Sequence, residues 1–276
     1  MEALSTRGTA VVQAPPGTGK TTLAPQYVLE FLRDAGRTGR VIVTQPRRVA
    51  ARSSAARIAA LRGSKTGGEV GYTVRGDRKV SAGTLIEMVT PGVLLRRLLS
   101  DPDLDGVDAV VIDEIHERHL ESDLVFGMLA QLRELRGDLG DDLVVVAMSA
   151  TLDAAQFARL LGGADGPAPL VDVPSPVHPL EMHYATSRDS VTNRDRRDRS
   201  AVEDLVTATV RRALAETAPG ANGTGGTGGD VLVFVPTIRG TQTVASALSR
   251  DGVDAVALHG RLTPRRTGTH SQRPQR

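Results

Sequence analysis

A glycine-rich segment near the N-terminus constrains this chain more than any other feature. It reads Ala14-Pro15-Pro16-Gly17-Thr18-Gly19-Lys20-Thr21-Thr22, and it lies between an apolar run and a helical pattern. A strand, loop and helix in that order is the context that a phosphate-binding loop requires. Its glycines let backbone N–H groups turn toward phosphates, and the helix N-terminus adds positive potential. We therefore expect residues 14–22 to bind ATP.

Two side chains of this segment have specific expected roles. Lys20 would reach the β- and γ-phosphates, and the Thr21 hydroxyl would be a ligand of Mg²⁺. Ala14 stands where the usual pattern has its first glycine, a departure that many such loops tolerate. The alternative is a glycine-rich turn with an incidental lysine, which the surrounding strand and helix patterns disfavour.

A second chemical signal is an apolar run, residues 109–112, that ends in Asp113 and Glu114. Acids in this position lie at the carboxyl edge of a parallel sheet, where the ligands of such sheets bind. Asp113 would hold Mg²⁺ through its water shell, and Glu114 would act as catalytic base on the attacking water. Alone, such a pair is more often a helix cap. His116 and His119 are three residues apart rather than the four of a zinc-protease helix, which disfavours a metal site there.

Short β-branched runs alternate with helical patterns along the first 170 residues. Strands are expected at residues 9–13, 40–44, 84–90, 107–112 and 143–148. Leu23, Tyr27 and Phe31 recur at helical spacing, as do Leu120, Leu124 and Met128. Continuous apolar strands separated by helices indicate an α/β fold, in which helices cover both faces of a parallel sheet.

Composition divides the chain into four parts. We expect a first domain at residues 1–177, closing at a proline-rich stretch, and a linker at 178–200 that is rich in arginine and aspartate. A second α/β unit would follow at 201–264, with a helix at 201–215, strands at 231–235 and 253–258, and a helix near 243–248. A glycine-rich insertion interrupts this unit. Residues 265–276 form a basic tail with no aliphatic side chain.

Composition also limits the classes of function. Without cysteine the chain can form neither disulfides nor thiolate zinc sites, which fits a reducing cytoplasm. No stretch resembles a signal peptide or a membrane span, so we expect a cytoplasmic protein with no membrane partner. A monomer is a separate expectation. The three Tyr, four Phe and absent Trp disfavour aromatic stacking on single strands. Any nucleic acid would be bound mainly through its phosphates.

Six further motifs occur along the chain, and their order is the one found in a known protein family. They are Thr44-Gln45-Pro46-Arg47-Arg48-Val49-Ala50-Ala51, Gly71-Tyr72-Thr73-Val74-Arg75-Gly76, Val89-Thr90-Pro91-Gly92-Val93-Leu94, Asp113-Glu114-Ile115-His116 followed by Glu117-Arg118, Met148-Ser149-Ala150-Thr151-Leu152, and the stretch PVHPLEMHY. With the Pro25-Gln26 pair of the first helix, the set resembles the DEAH-box ATP-dependent RNA helicases of superfamily 2, and most closely their bacterial HrpB type. The resemblance covers about residues 9–264.

The resemblance implies two RecA-like domains, with ATP and Mg²⁺ between them and RNA across their upper face. Ser149, Ala150 and Thr151 would couple hydrolysis to domain movement. The RNA contacts would be Pro46, Arg47, Arg48, Thr90 and Gly92. Taken singly, the arginines could form the solvent-exposed face of an amphipathic helix, and Thr90-Pro91-Gly92 could be a strand-to-helix turn.

The likeness weakens toward the C-terminus. Thr237, Gly240 and Thr241 depart from the family pattern, and after Pro264 the likeness ends. The family's arginine-finger motif is not recognisable. We expect an incomplete second RecA-like domain and impaired turnover, although a basic nucleic-acid-binding arm is an alternative reading of the tail. Two other functions stay open: a non-catalytic ATP- and RNA-binding fragment, and an AAA+-type ATPase, which the Ser-Ala-Thr and Pro-Arg-Arg motifs oppose.

Overall fold

A computed structural model describes residues 2–150, 153–163, 166–174, 180–184, 199–217 and 230–259. The chain divides into two compact units, Met1–Val177 and His178–Arg276. The first unit contains a sheet with helices on both faces, and the second contains two long helices with extended segments against them.

The first unit alternates strands and helices along most of its length. Its strands are β1 (Thr9–Gln13), β2 (Arg40–Thr44), β3 (Val70–Val74), β4 (Asp77–Lys79), β5 (Ile86–Val89), β6 (Val107–Ile112), β7 (Val144–Ser149) and β8 (Leu170–Asp172). Its α-helices are α1 (Glu2–Arg7), α2 (Lys20–Asp34), α3 (Arg48–Leu61), α4 (Pro91–Ser100), α5 (Leu120–Asp138) and α6 (Ala154–Gly162). A single 3₁₀ turn, Ile115–Glu117, precedes α5.

The eight strands form one sheet in the order β4-β3-β5-β2-β6-β7-β1-β8. Every pairing is parallel except that of β3 with β4, which is antiparallel. Gly76 has a φ of +81°, which lets the two-residue connection between β3 and β4 turn back sharply. The expected α/β fold with a parallel sheet is confirmed, and the antiparallel edge strand is an addition to it.

Two hydrophobic cores lie on opposite faces of the sheet. Neighbouring residues of β6 alternate between them: Val110 packs in the core shared with α4, α5 and α6, whereas Val111 packs in the core shared with α2 and α3. This period of two is the geometry of a strand buried on both faces. Leu129 of α5 and Leu32 of α2 are fully buried on the two sides.

The strand order determines which loops meet at the carboxyl edge. From β5 through β2, β6 and β7 to β1, the strands end next to one another, and each is parallel to its neighbour. The residues that follow these strands are therefore neighbours in space, although they are far apart in sequence. The glycine-rich segment follows β1, the acidic motif follows β6, and the expected RNA contacts follow β2 and β5.

The second unit contains α7 (Arg199–Thr217) and α8 (Ile238–Arg250), which pack through Val210, Val244 and Leu248. The two helices predicted in this unit are confirmed. The strands predicted at residues 231–235 and 253–258 are wrong for the described part of the chain, where neither segment pairs in a ladder. Their β-branched side chains favour extended backbone and pack on the helices, but a strand also needs a hydrogen-bonded neighbour.

Within the described ranges, no helix is long and apolar enough to cross a bilayer.

Candidate ATP site and nucleic-acid interface

The glycine-rich segment forms a tight loop between β1 and α2. Ala14, buried directly after β1, donates its N–H to the Ser149 carbonyl at 3.0 Å, which ties the loop to the end of β7. Gly17 and Gly19 have φ values of +84° and +80°, a backbone region that favours glycine. The Thr18 hydroxyl donates to the Pro15 carbonyl at 2.9 Å across the turn. The loop conformation thus depends on residue types that the sequence singled out.

The remaining loop residues continue into the first turn of α2. Pro16 lies in the turn, and α2 begins at Lys20. The Thr22 hydroxyl donates to the Gly19 carbonyl at 3.0 Å and stays within the helix. The Lys20 and Thr21 side chains, by contrast, reach across the sheet edge to the residues that follow β6.

Lys20 Nζ lies 3.3 Å from Glu114 Oε2, and 7% of the lysine side chain is exposed. A largely buried ammonium has to be paired, and the carboxylate supplies a partner. Phosphate oxygens can take that place when a nucleotide binds, because they offer the same negative charge with more acceptors. The contact also brings the two expected catalytic groups within reach of one reacting phosphate.

Asp113 is the centre of a buried hydrogen-bond cluster. The Thr21 hydroxyl donates to Asp113 Oδ2 at 2.6 Å, and the Gln45 side-chain amide donates to the same oxygen. Asp113 Oδ1 accepts the backbone N–H of Glu114 at 2.9 Å. Groups following β1, β2 and β6 therefore converge on one carboxylate that is 1% exposed.

The pKa of Asp113 is raised from 3.8 to about 6, mainly by burial and to a smaller extent by the nearby Glu114 charge. The hydrogen bond from Thr21 and the positive charge of Lys20 act in the opposite direction but do not cancel the cost of burial. A cation at this position would favour the ionised carboxylate for the same Coulombic reason that Lys20 does.

The donor set near Thr21 suits Mg²⁺. This ion prefers oxygen ligands and is usually held by one or two carboxylates together with substrate phosphates and waters. Asp113 and Thr21 supply two adjoining oxygens at the point where the loop backbone turns. The two histidines have other partners: His119 Nε2 lies 2.9 Å from Glu117, and His116 accepts a backbone N–H.

The Asp-Glu-Ile-His motif turns sharply where β6 ends. Glu114 has a φ of +54°, the left-handed region, and buried Ile115 anchors the following 3₁₀ turn. His116 Nδ1 accepts the Ala150 N–H at 3.2 Å, so in the neutral ring the proton lies on Nε2, which is 3.4 Å from Glu114 Oε2. His116 thereby connects the Glu114 carboxylate to the segment after β7. Ser149 is the buried last residue of that strand, and Thr151 lies outside the described residues.

The expected RNA contacts follow β2 and β5, which are neighbouring parallel strands. Arg47 and Arg48 are exposed where α3 begins, and Thr90 is the N-cap residue of α4. Gly92 lies in the first turn of α4. Pro46 lines a cavity of about 230 Å³ between the two motifs. These residues thus follow neighbouring strands at the same sheet edge as the glycine-rich loop, from which β6 and β7 separate them.

Two residues of the site were not predicted from the sequence. Gln45 was recognised only as part of a motif, yet it is 5% exposed and bonds to Asp113. Glu117 pairs with Arg47 at 2.9 Å. A polar residue directly after a buried strand was the available signal for Gln45. Glu117 was likewise recognised only as part of the acidic motif, and its pairing with Arg47, 70 residues away in sequence, was not predicted.

Comparisons with known proteins show which family the chain resembles. The family model described as DEAD/DEAH box helicase matches residues 1–160. An Arabidopsis thaliana protein, DExH-box ATP-dependent RNA helicase DExH3, is 41% identical over 186 residues, and RNA editing associated helicase 2 of Trypanosoma brucei brucei is 40% identical over 201 residues. The matches cover 67% and 70% of this chain, respectively.

Among solved structures, the Escherichia coli DEAH/RHA helicase HrpB superposes with a TM-score of 0.72 at 33% identity. That match covers 90% of this chain and 28% of the bacterial chain. The chain spans 15% of the Arabidopsis protein and 9% of the trypanosome protein. It therefore corresponds to a small part of each of these proteins.

Proposed function

This chain belongs to the DEAD/DEAH box helicase family, and we propose that it carries the ATP-binding machinery of an ATP-dependent RNA helicase. In this proposal, ATP binds at the carboxyl edge of the first unit, and its hydrolysis is coupled to separation of nucleic-acid strands. The RNA substrate is proposed from the family motifs and from the relatives, whose names describe RNA helicases.

One observation carries the proposal: side chains of the glycine-rich loop are in direct contact with side chains of the acidic motif. Thr21 reaches Asp113 at 2.6 Å and Lys20 reaches Glu114 at 3.3 Å, across two strand positions of the sheet. A nucleotide-binding fold without hydrolytic chemistry would need the lysine but not an acid beside it.

The roles of the residues follow from their positions. Lys20 and the loop N–H groups would hold the β- and γ-phosphates. Thr21 and Asp113 would hold Mg²⁺, which neutralises phosphate charge when bound. Glu114 would accept the proton of the attacking water, and His116, through Nε2, would fix the orientation of that carboxylate.

RNA would lie across the face formed by Arg47, Arg48, Thr90 and Gly92. The exposed arginines and the N-terminus of α4 are suited to backbone phosphates rather than to bases. His116 would connect the ATP site to the segment that begins with Ser149 and Ala150, the motif proposed to couple hydrolysis to domain movement. A cytoplasmic location, a monomeric state and the domain boundaries at residues 177, 200 and 264 stay predictions.

A second candidate is a non-catalytic ATP- and RNA-binding fragment. It would need Lys20 and the glycine-rich loop but not Glu114 as a catalytic base. An AAA+-type ATPase is not supported, since the family match is to helicases.

Steady-state ATP hydrolysis with and without single-stranded RNA separates the two candidates, with Glu114→Gln as the matched control. The proposal expects RNA-stimulated turnover that falls at least about a hundredfold in Glu114→Gln, with ATP binding retained. ATP and RNA binding without turnover would support the fragment. A chain that does not bind ATP would contradict both.

A further inference from the structure

Two carboxylates that follow the acidic motif lie against the proposed RNA contacts. The first is Glu117, at the end of the 3₁₀ turn. Its Oε1 lies 2.9 Å from Arg47 Nη2, and 75% of the arginine side chain is exposed against 23% of the glutamate. Arg47 therefore projects toward solvent from a carboxylate that is itself largely covered.

Glu117 is held in its ionised form by its surroundings. Partial burial raises its pKa, but the hydrogen bond with His119 and the positive charges of Arg47, His119 and His116 outweigh that effect and leave the pKa below its ordinary value. The ion pair with Arg47 is thus present throughout the neutral pH range.

The second carboxylate is Glu121, in the first turn of α5. Its oxygens lie 2.8 and 2.9 Å from the point that a Cβ atom would occupy at Gly92. The carboxylate therefore rests directly on the backbone of the first turn of α4. The positive potential of a helix N-terminus favours a negative group there, whether it is a carboxylate or a phosphate.

We propose that Glu117 and Glu121 compete with RNA phosphates for Arg47 and for the first turn of α4. This inference rests on the proposed RNA face. A phosphate that binds Arg47 replaces Glu117 as the partner of the guanidinium. A phosphate that binds at Gly92 displaces the Glu121 side chain. Both glutamates lie within eight residues of Asp113, so RNA binding changes the contacts of the segment that carries the catalytic acids.

The competing contacts are weak enough to be exchanged. Ion pairs as exposed as that of Arg47 with Glu117 contribute little free energy, since solvent screens them. Removing one competitor should therefore tighten RNA binding by only about two- to fivefold. A change of that size is measurable by titration, and it differs in sign from the loss expected if the glutamates positioned Arg47 for RNA.

The test measures the dissociation constant of a fluorescein-labelled single-stranded oligouridylate for the full 276-residue chain at fixed salt. Glu117→Gln and Glu121→Gln are compared with Glu69→Gln. The control removes the same charge from a 3.1 Å ion pair with Arg62 that lies away from the proposed RNA face. Far-ultraviolet circular dichroism and thermal melts confirm that each variant is folded.

Tighter binding by both test variants, with little change for Glu69→Gln, supports competition. The Glu117→Gln effect must also disappear in an Arg47→Ala background, because Glu117 then has no arginine for which it competes with RNA. Unchanged or weaker binding by Glu117→Gln, or an equal gain in the Arg47→Ala background, would overturn the inference. If Arg47→Ala itself leaves RNA affinity unchanged, the proposed RNA face is wrong, and the inference fails with it for that separate reason.

Discussion

The Thr21 hydroxyl donates a 2.6 Å hydrogen bond to Asp113 Oδ2, joining two residues that are 92 positions apart in the sequence. Thr21 lies in the first turn of α2, which follows β1, and Asp113 follows β6, with β7 between these strands. The bond exists because parallel strands bring their carboxyl ends to one edge. This hydroxyl and this carboxylate are the two groups that would hold Mg²⁺ in the proposed ATP site.

Replacing Thr21 by valine should remove most of the magnesium dependence of ATP binding. The variant keeps the branched shape but offers no oxygen ligand. We expect ATP affinity in the presence of Mg²⁺ to fall about tenfold or more, with little change in EDTA. Calorimetric titration under both conditions measures this. Thr209→Val is the control, because that hydroxyl donates to the Leu205 carbonyl within its own helix and no ATP contact is expected of it. Equal losses in the two variants would refute the magnesium role.

Asp113 should make stability depend on pH. Its folded-state pKa of about 6 lies above its ordinary 3.8, so the folded chain binds this proton more tightly than the unfolded chain. The contribution of protonated Asp113 to the free energy of unfolding is fully present below its ordinary pKa of 3.8 and is lost as pH rises through about 6. Urea unfolding without nucleotide or metal should show that the free energy of unfolding falls more for wild type than for Asp113→Asn when the pH is raised from 5 to 7. A constant difference between the two proteins would contradict the raised pKa.

The sheet could be predicted well because its strands are short β-branched runs buried on both faces. The bounds of β1, β2 and β6 agree with those expected, and β5 is shorter than expected because residues 84 and 85 lie before its ladder. Helical spacing predicted α5 but not its buried side: Leu120 and Leu124 are 75% and 48% exposed, whereas Leu129 is buried. Spacing alone cannot show which stripe a neighbouring element covers.

The candidate site could be predicted where a residue belongs to a local pattern. Lys20, Thr21, Asp113 and Glu114 belong to such patterns, and the structure brings them together. The contacts of Gln45 with Asp113 could not be predicted, because they depend on the order of β2 and β6 in the sheet. Strand order is a long-range property that no local sequence window contains.

Arg47 and Arg48 should determine the salt dependence of RNA binding. Each phosphate contact on a single strand contributes about 0.7 to the slope of log affinity against log salt. Replacing both arginines by alanine should therefore flatten the slope by as much as about 1.4. Fluorescence anisotropy at several salt concentrations measures it. Alanine at Arg57 and Arg62, farther along and at the end of α3, is the matched double control. Identical slopes in both double variants would place the RNA elsewhere.

Gly71 and Gly127 should respond oppositely to alanine. A Cβ at Gly71 would lie 2.4 Å from the Lys79 carbonyl oxygen of the adjoining strand, so we expect the free energy of unfolding to fall by about 1–3 kcal/mol. A Cβ at Gly127 meets nothing within 4 Å, and this helical residue should gain up to about 1 kcal/mol. Urea unfolding measures both. A Gly71→Ala protein as stable as wild type would show that β3 and β4 are not packed as described.

The central claim is that Lys20 anchors the phosphates of ATP beside the acidic motif. Isothermal titration of ATP with Mg²⁺ into wild type, Lys20→Ala and the exposed control Lys65→Ala tests it most directly. We expect an affinity loss of about tenfold or more for Lys20→Ala, since a charge-assisted contact is removed, and near-wild-type affinity for Lys65→Ala. Equal dissociation constants for wild type and Lys20→Ala would contradict it.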